Sequence, residues 1–134
     1  MVERIPDSHR DIIQGPNFAH VATLMPSGMP QVTPVWIDIE GDSDVIVMNT
    51  ADGRQKARNL DRDGRVALSV ADSANPYRYI QVRGRVIEKT FEGADAHIDK
   101  MAKKYMGVDV YPGHSQTERR VIYRIQPEKV QTMG

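Results

Sequence analysis

The residues best placed to do chemistry lie in one stretch, Asn49-Thr50-Ala51-Asp52-Gly53-Arg54-Gln55-Lys56-Ala57-Arg58-Asn59-Leu60. An apolar run, Val45-Ile46-Val47-Met48, leads into it, and a helical pattern from Arg54 to Leu60 leads out. Thr50 and Asp52 carry side-chain oxygens suited to a helix N-cap, and Gly53 permits a tight bend. Arg54, Lys56 and Arg58 then set three cations within about one and a half helical turns. Free backbone N–H groups at a helix start, joined to fixed cations, suit a phosphate. A solvated basic turn without function has the same composition, so both readings stand at this point.

Other chemistries find less support. The chain has no cysteine, which excludes disulfides, thiolate catalysis and cysteine-ligated metals. Four histidines, His9, His20, His97 and His114, are scattered without metal-motif spacing, so no metal site is expected. His20 falls within a strand and is expected to be a hydrogen-bonded core residue. His97 is expected to be a solvated or packing residue of a helix. His114-Ser115 has no evident partner for a hydrolase triad, and neither a Walker loop nor GxGxxG occurs.

The 134 residues, 40% apolar and 27% charged, form one domain spanning 1–134, with 18 basic and 18 acidic side chains. Zero net charge argues against nucleic acid as the main partner. From Arg54 to Arg65, however, five cations (Arg54, Lys56, Arg58, Arg62, Arg65) face two acids (Asp61, Asp63), a bias suited to a small anionic ligand. No stretch approaches the ~20 apolar residues of a membrane span, and the first residues lack a signal-type apolar region, so a cytoplasmic location is expected.

The elements that must hold the basic turn are mostly strands. A short helix runs from Asp7 or Ser8 to Gln14. Phe18–Leu24 is apolar on both faces and reads as a strand buried on both sides. Gln31–Glu40 follows as a second strand, in which Pro34 demands an edge, a bulge or a ligand. Val45–Asn49, Arg65–Ala71 and Tyr77–Glu88 continue the series, with Gly84 marking a bulge or bend. Phe91–Met106 is the one long helical pattern. Arg119–Ile125 is the last strand, stopped by Pro127. Six antiparallel strands with peripheral helices make a mainly β, barrel-like fold. Trp36, the only tryptophan, is either core packing or a wall for a flat ring. Tyr77 and Tyr79 share an accessible face with Gln81 and Arg83.

The order Asn49-Thr50-x-x-x-Arg54-x-Lys56-x-x-Asn59-Leu60, then Arg65-Val66-x-Leu68, resembles the flavin/deazaflavin oxidoreductases of the pyridoxamine 5′-phosphate oxidase-like split β-barrel superfamily. Pro26-x-Gly28-x-Pro30-Gln31-Val32-Thr33-Pro34-Val35-Trp36 and Arg120-Val121-x-Tyr123-x-Ile125-x-Pro127 extend the likeness over nearly the whole chain. It looks closest to the actinobacterial branch that uses coenzyme F420, a 5-deazaflavin; FMN is the alternative cofactor. The resemblance implies a homodimeric six-stranded split barrel with the cofactor in a groove between protomers. Arg54 and Lys56 would hold its phosphate with support from Asn59, while Asn49 and Thr50 would bond the ribityl chain or pyrimidine edge. The backbone at Pro34, Val35 and Trp36 would lie under the ring, with Met48 and Ala57 among the contacts and Tyr77 and Tyr79 reaching across from the second protomer. Arg58, with Arg78, Arg83, Lys103, Lys104, Arg119 and Arg120, could track the glutamate tail of F420. The implied activity is hydride transfer from the reduced deazaflavin to a small planar conjugated substrate, such as a quinone or enone. An FMN-dependent oxidase or reductase and a non-catalytic F420-binding protein are the rival readings. The extended carboxy-terminal Arg-x-His-like segment of the pyridoxal-phosphate-making oxidases is absent, which argues against pyridoxamine phosphate as substrate.

Overall fold

A computed structural model describes residues 2–134. The order is α1 (Arg10–Gln14), β1 (Ala19–Leu24), β2 (Pro30–Val35), β3 (Ile37–Ile39), β4 (Ile46–Ala51), α2 (Gln55–Arg62), β5 (Arg65–Asp72), β6 (Asn75–Thr90), α3 (Ala94–Met106) and β7 (Arg120–Met133). All seven strands join one sheet in the order β2-β1-β5-β6-β7-β4-β3, and every pairing is antiparallel.

The expected second strand is two strands, which is why there are seven and not six. It breaks at Trp36, and its halves pair at opposite ends of the sheet: β2 with β1, and β3 with β4. From Val35 to Ile37 the chain can span at most about 7 Å. The sheet must therefore curl until its two edges nearly meet, and covalent connection at Trp36 holds them there. Pro34 lies in edge strand β2, where a missing ladder donor is tolerated.

At this seam the first residue of β3 cannot bond to β2, so α3 supplies its partners. The Ile37 N–H donates to the Tyr105 hydroxyl at 3.2 Å, and that hydroxyl donates to the Asn17 carbonyl at 2.8 Å. Lys104 Nζ donates to the carbonyls of Ile37 (2.7 Å) and Ile13 (2.8 Å). The barrel interior is filled by Ile12, Ile13, Val21, Ile37, Ile46, Met48, Leu68, Val70, Ile80, Val82, Tyr123 and Ile125.

Gly84 does mark a bulge: register shifts there, and a Cβ at this position would sit 2.3 Å from the Gln126 carbonyl oxygen. The same irregularity lets the last strand run through Pro127, opposite Gly84, to Met133 instead of ending before it. Strand β1 buries one face only. Ala19, Val21 and Thr23 point inward, while Phe18, just before it, is 55% exposed and His20 is also exposed, so His20 is not a core histidine. Helix α1 starts at Arg10 after His9, without a side-chain cap from Asp7 or Ser8.

Replacing Tyr105 by Phe strands the Ile37 amide at the seam and should cost about 1–3 kcal/mol in urea unfolding. Burial pushes the Lys104 ammonium down to about 8, with Asp38 opposing and Lys100 adding to the effect. Between about pH 8 and the ordinary lysine value near 10.5, the unfolded chain binds the extra proton, so this group makes stability rise with pH. Lys104→Met should abolish that part of the rise in unfolding midpoints measured across the interval.

Candidate functional site

The seam positions the site. Register places Val35 opposite Ala19 and Ile37 opposite Met48, so Phe18, Trp36, Asn49 and Thr50 arrive at the same end of the barrel. Ala51 lies opposite Arg120, which brings β7 to that end as well. Gly53, with φ of 88°, then turns the chain into α2, whose first intrahelical bond runs from the Arg58 N–H to the Arg54 carbonyl at 3.0 Å. The N–H groups of Gln55, Lys56 and Ala57 precede that bond and have no intrahelical acceptor. Between these elements lies a cleft of about 200 Å³. Phe18, Pro34, Val35, Trp36 and Tyr111 form its apolar wall, and Asn49, Thr50, Arg54, Lys56 and Arg120 its polar one, with Ile98 below.

Trp36 stacks on Tyr105, centroids 5.2 Å apart at 6°, and meets Tyr111 edge-on at 5.8 Å and 82°. Its ring is therefore fixed on two sides. The Tyr111 loop is held by Asp99, which accepts from the Tyr111 N–H at 2.8 Å and contacts His114 Nε2 at 2.7 Å. That contact is also the structural role of His114.

The cations of the polar wall are only partly compensated. Burial lowers the Lys56 ammonium below its ordinary value, and the charges of Arg54 and Arg120 lower it further. Burial likewise lowers Arg120, partly offset by Tyr111, with Arg54 opposing its charge again. Arg54 has one carboxylate partner, Glu118, in a two-point contact at 3.2 and 3.1 Å. Thr50 lines the same cleft, and its buried Oγ1 has no hydrogen-bond partner among the described residues. Three mutually repelling cations gathered in one cleft suit an anionic, oxygen-rich guest.

The expected site residues divide sharply. Pro34, Val35, Trp36, Asn49, Thr50, Arg54 and Lys56 converge on the cleft. Met48 and Ala57 are fully buried in the core, facing away from it. Asn59, also fully buried, donates to Thr23 Oγ1 at 3.0 Å and accepts from Gln55 at 2.8 Å, tying α2 to β1. Arg58 is exposed and bonds Gln55. Tyr77, 80% exposed, and Tyr79 lie on β6, outside the cleft of their own chain. Neither Thr50 nor Asp52 caps α2: Thr50 belongs to β4, and Asp52 pairs with Lys89 at 3.3 Å. The supposed basic track is mostly spent. Arg78 pairs with Asp11 and Asp72, Lys103 with Asp109, Lys104 is turned to the seam, and Arg119 covers the Phe91 ring.

The sequence profile of pyridoxamine 5′-phosphate oxidase matches residues 5–134. The chain belongs to this family. Its members bind flavins such as FMN and include oxidoreductases. A solved structure described as an F420 reductase is 31% identical with TM-score 0.81, covering 95% of this chain and 98% of its own. A conserved hypothetical protein of Mycobacterium tuberculosis shares the fold at 21% identity and TM-score 0.73, over 98% of this chain and 86% of its own. HupZ of Group A Streptococcus shares it at 22% and 0.66, over 96% and 93%. No curated protein matches the chain.

Within this family member the cleft also holds Phe18 and Ile98, which sequence reasoning did not assign to it, and Tyr111 of the loop 107–116; it makes Arg120 part of the central charge cluster and not of a tail track. Arg120 could have been found from its place beside Ala51 once β4 and β7 were paired; Tyr111 lies in a loop without periodic signal. Among the described residues no group of three or more His, Asp or Glu side chains could hold a metal, and no helix is long and apolar enough to cross a membrane. Because Glu118 competes for Arg54 in an exposed pair worth about 0.2–1 kcal/mol, Glu118→Gln should tighten binding of a phosphate-bearing ligand about twofold to fivefold, read by isothermal titration calorimetry.

Proposed function

We propose that this protein is a coenzyme F420-dependent oxidoreductase that reduces a small planar conjugated substrate, such as a quinone or enone. The observation that carries the reading is the gathering of Arg54, Lys56 and Arg120 in one cleft with the fixed Trp36 face. These residues fit a phosphate joined to a flat ring system. The 31% identity with a protein described as an F420 reductase favours the deazaflavin; the family's flavin binding keeps FMN as the second reading.

When bound, the deazaflavin supplies the hydride. The chain's own part is positioning. Arg54 and Lys56 would hold the phosphate oxygens together with the free N–H groups at the start of α2. Pro34, Val35 and Trp36 form the floor for the ring, and Tyr111 excludes water from its edge. No acid–base pair is assigned to hydride transfer.

A homodimer is the proposed working unit. The cleft volume, about 200 Å³, is small against the several hundred typical of cofactor sites, so a second protomer is expected to supply the facing wall, with Tyr77 and Tyr79 as contributors. Phe18–Leu24 has the apolar pattern of a strand covered on both faces, yet on its outer face His20 is exposed and Ala22 and Leu24 are only half-buried. There Val32, Ala22 and Ala67 align in register, beside a second, mostly apolar cleft of about 330 Å³ at Gly84. That cleft is larger than the charged one, but two of its three arginines are already paired, Arg65 with Asp63 and Arg85 with Glu128.

Fluorescence titration with F420 and FMN side by side tests the reading. F420 should bind more tightly, and Lys56→Ala should weaken it about ten- to a hundredfold through loss of a charge-assisted bond of roughly 1.5–3 kcal/mol. Unchanged affinity in a folded Lys56→Ala variant would remove Lys56 from the site.

A further inference from the structure

His97 does not lie on a solvated helix face. Its side chain is 13% exposed and sits between Asp38 of β3 and Asn49 of β4. Donor and acceptor chemistry fixes the arrangement. Arg120 Nε, which can only donate, lies 2.9 Å from Asn49 Oδ1. The Asn49 amide NH2 must then face the other way, where the Ala94 carbonyl accepts from it at 2.9 Å. That same NH2 meets His97 Nδ1 at 3.2 Å, so Nδ1 must be the accepting, unprotonated nitrogen. Nε2 then carries the proton and points toward Asp38 Oδ2, 3.6 Å away, beyond hydrogen-bond reach but within strong attraction. Burial opposes the charge of Asp38, but His97, the Ile39 N–H and Lys100 outweigh it and hold the carboxyl well below the usual range.

We propose that His97 is a positioning residue for the anion site, acting through Asn49 on Arg120. Nδ1 locks the Asn49 amide in the one orientation that offers Oδ1 to Arg120 Nε. With Nε so tethered, the guanidinium is held over the edge of the cleft with both Nη atoms uncommitted to any protein acceptor among the described residues. A donor at Nδ1 would oppose the Asn49 NH2, favour the flipped amide, and so set that NH2 against the Arg120 Nε–H, donor against donor. The nature of the anion rests on the proposed cofactor, but the hydrogen-bond chain does not.

Two variants separate this role from packing. His97→Leu fills similar volume without an acceptor; His97→Asn returns an acceptor near the Nδ1 position. Nitrogen-15 NMR of the full chain should show His97 with Nδ1 unprotonated and Nε2 protonated. The Arg120 Nε–H signal should exchange slowly in wild type and His97→Asn, and rapidly in His97→Leu. Titrated with F420 and with FMN, His97→Leu should lose about twofold to tenfold in affinity, the size expected for one orienting hydrogen bond, and His97→Asn should recover it. A protonated Nδ1, an unaltered Arg120 signal in His97→Leu, or equal losses in the two variants would overturn the proposal. If wild type binds neither cofactor, the proposed function fails while the nitrogen spectra still decide the role of His97.

Discussion

The one-residue crossing at Trp36 is the constraint on which the rest of the structure depends. Because β2 and β3 are consecutive in the chain yet lie at opposite edges of the sheet, the sheet must close on itself there. Closure without hydrogen bonds between the edges leaves backbone groups at Ile37 to be satisfied from elsewhere, and α3 does this through Tyr105 and Lys104. The same closure delivers Phe18, Asn49, Thr50 and Arg120 to the seam. Tyr105 serves both ends: its hydroxyl completes the backbone, and its ring stacks on Trp36. Site and seam are therefore one feature.

Charge then gives the seam its character. A neutral chain has concentrated three cations at one end of its barrel, partly buried and mutually opposed, offset in part by Glu118 and Asp95. Such a cluster is unfavourable to the isolated fold and is relieved by an anion. Behind it, the line from Asp38 through His97 and Asn49 to Arg120 orients the most buried of the three guanidinium or ammonium groups.

Much of this was legible in the residues and some was not. The basic turn and an irregularity at Gly84 follow from local chemistry that sequence records directly, and the edge position of Pro34 is one of the three settings its missing donor allows. The break at Trp36 was hidden because Pro34, two residues before it, fits an unbroken edge strand equally well; a strand that changes neighbours keeps its apolar pattern. Pro127 misled for the converse reason, since a bulge on the neighbouring strand absorbs its missing donor. Asn59 matches the family pattern and Ala57 is expected among the cofactor contacts, yet both turn inward, because helical position alone does not say which face a neighbouring strand will cover. His97 was unreadable: its partners are 48 and 59 residues away and meet it only after the barrel closes.

The central claim is that the cations at the seam hold the phosphate of a deazaflavin or flavin. The most direct measurement compares the affinity of intact F420 with that of its deazaflavin core, which keeps the ring and ribityl chain but lacks the phosphate and tail. Charge-assisted bonds from even one cation predict at least about tenfold tighter binding of the intact cofactor, with the difference shrinking as salt is raised. Equal affinities, insensitive to salt, would contradict the account.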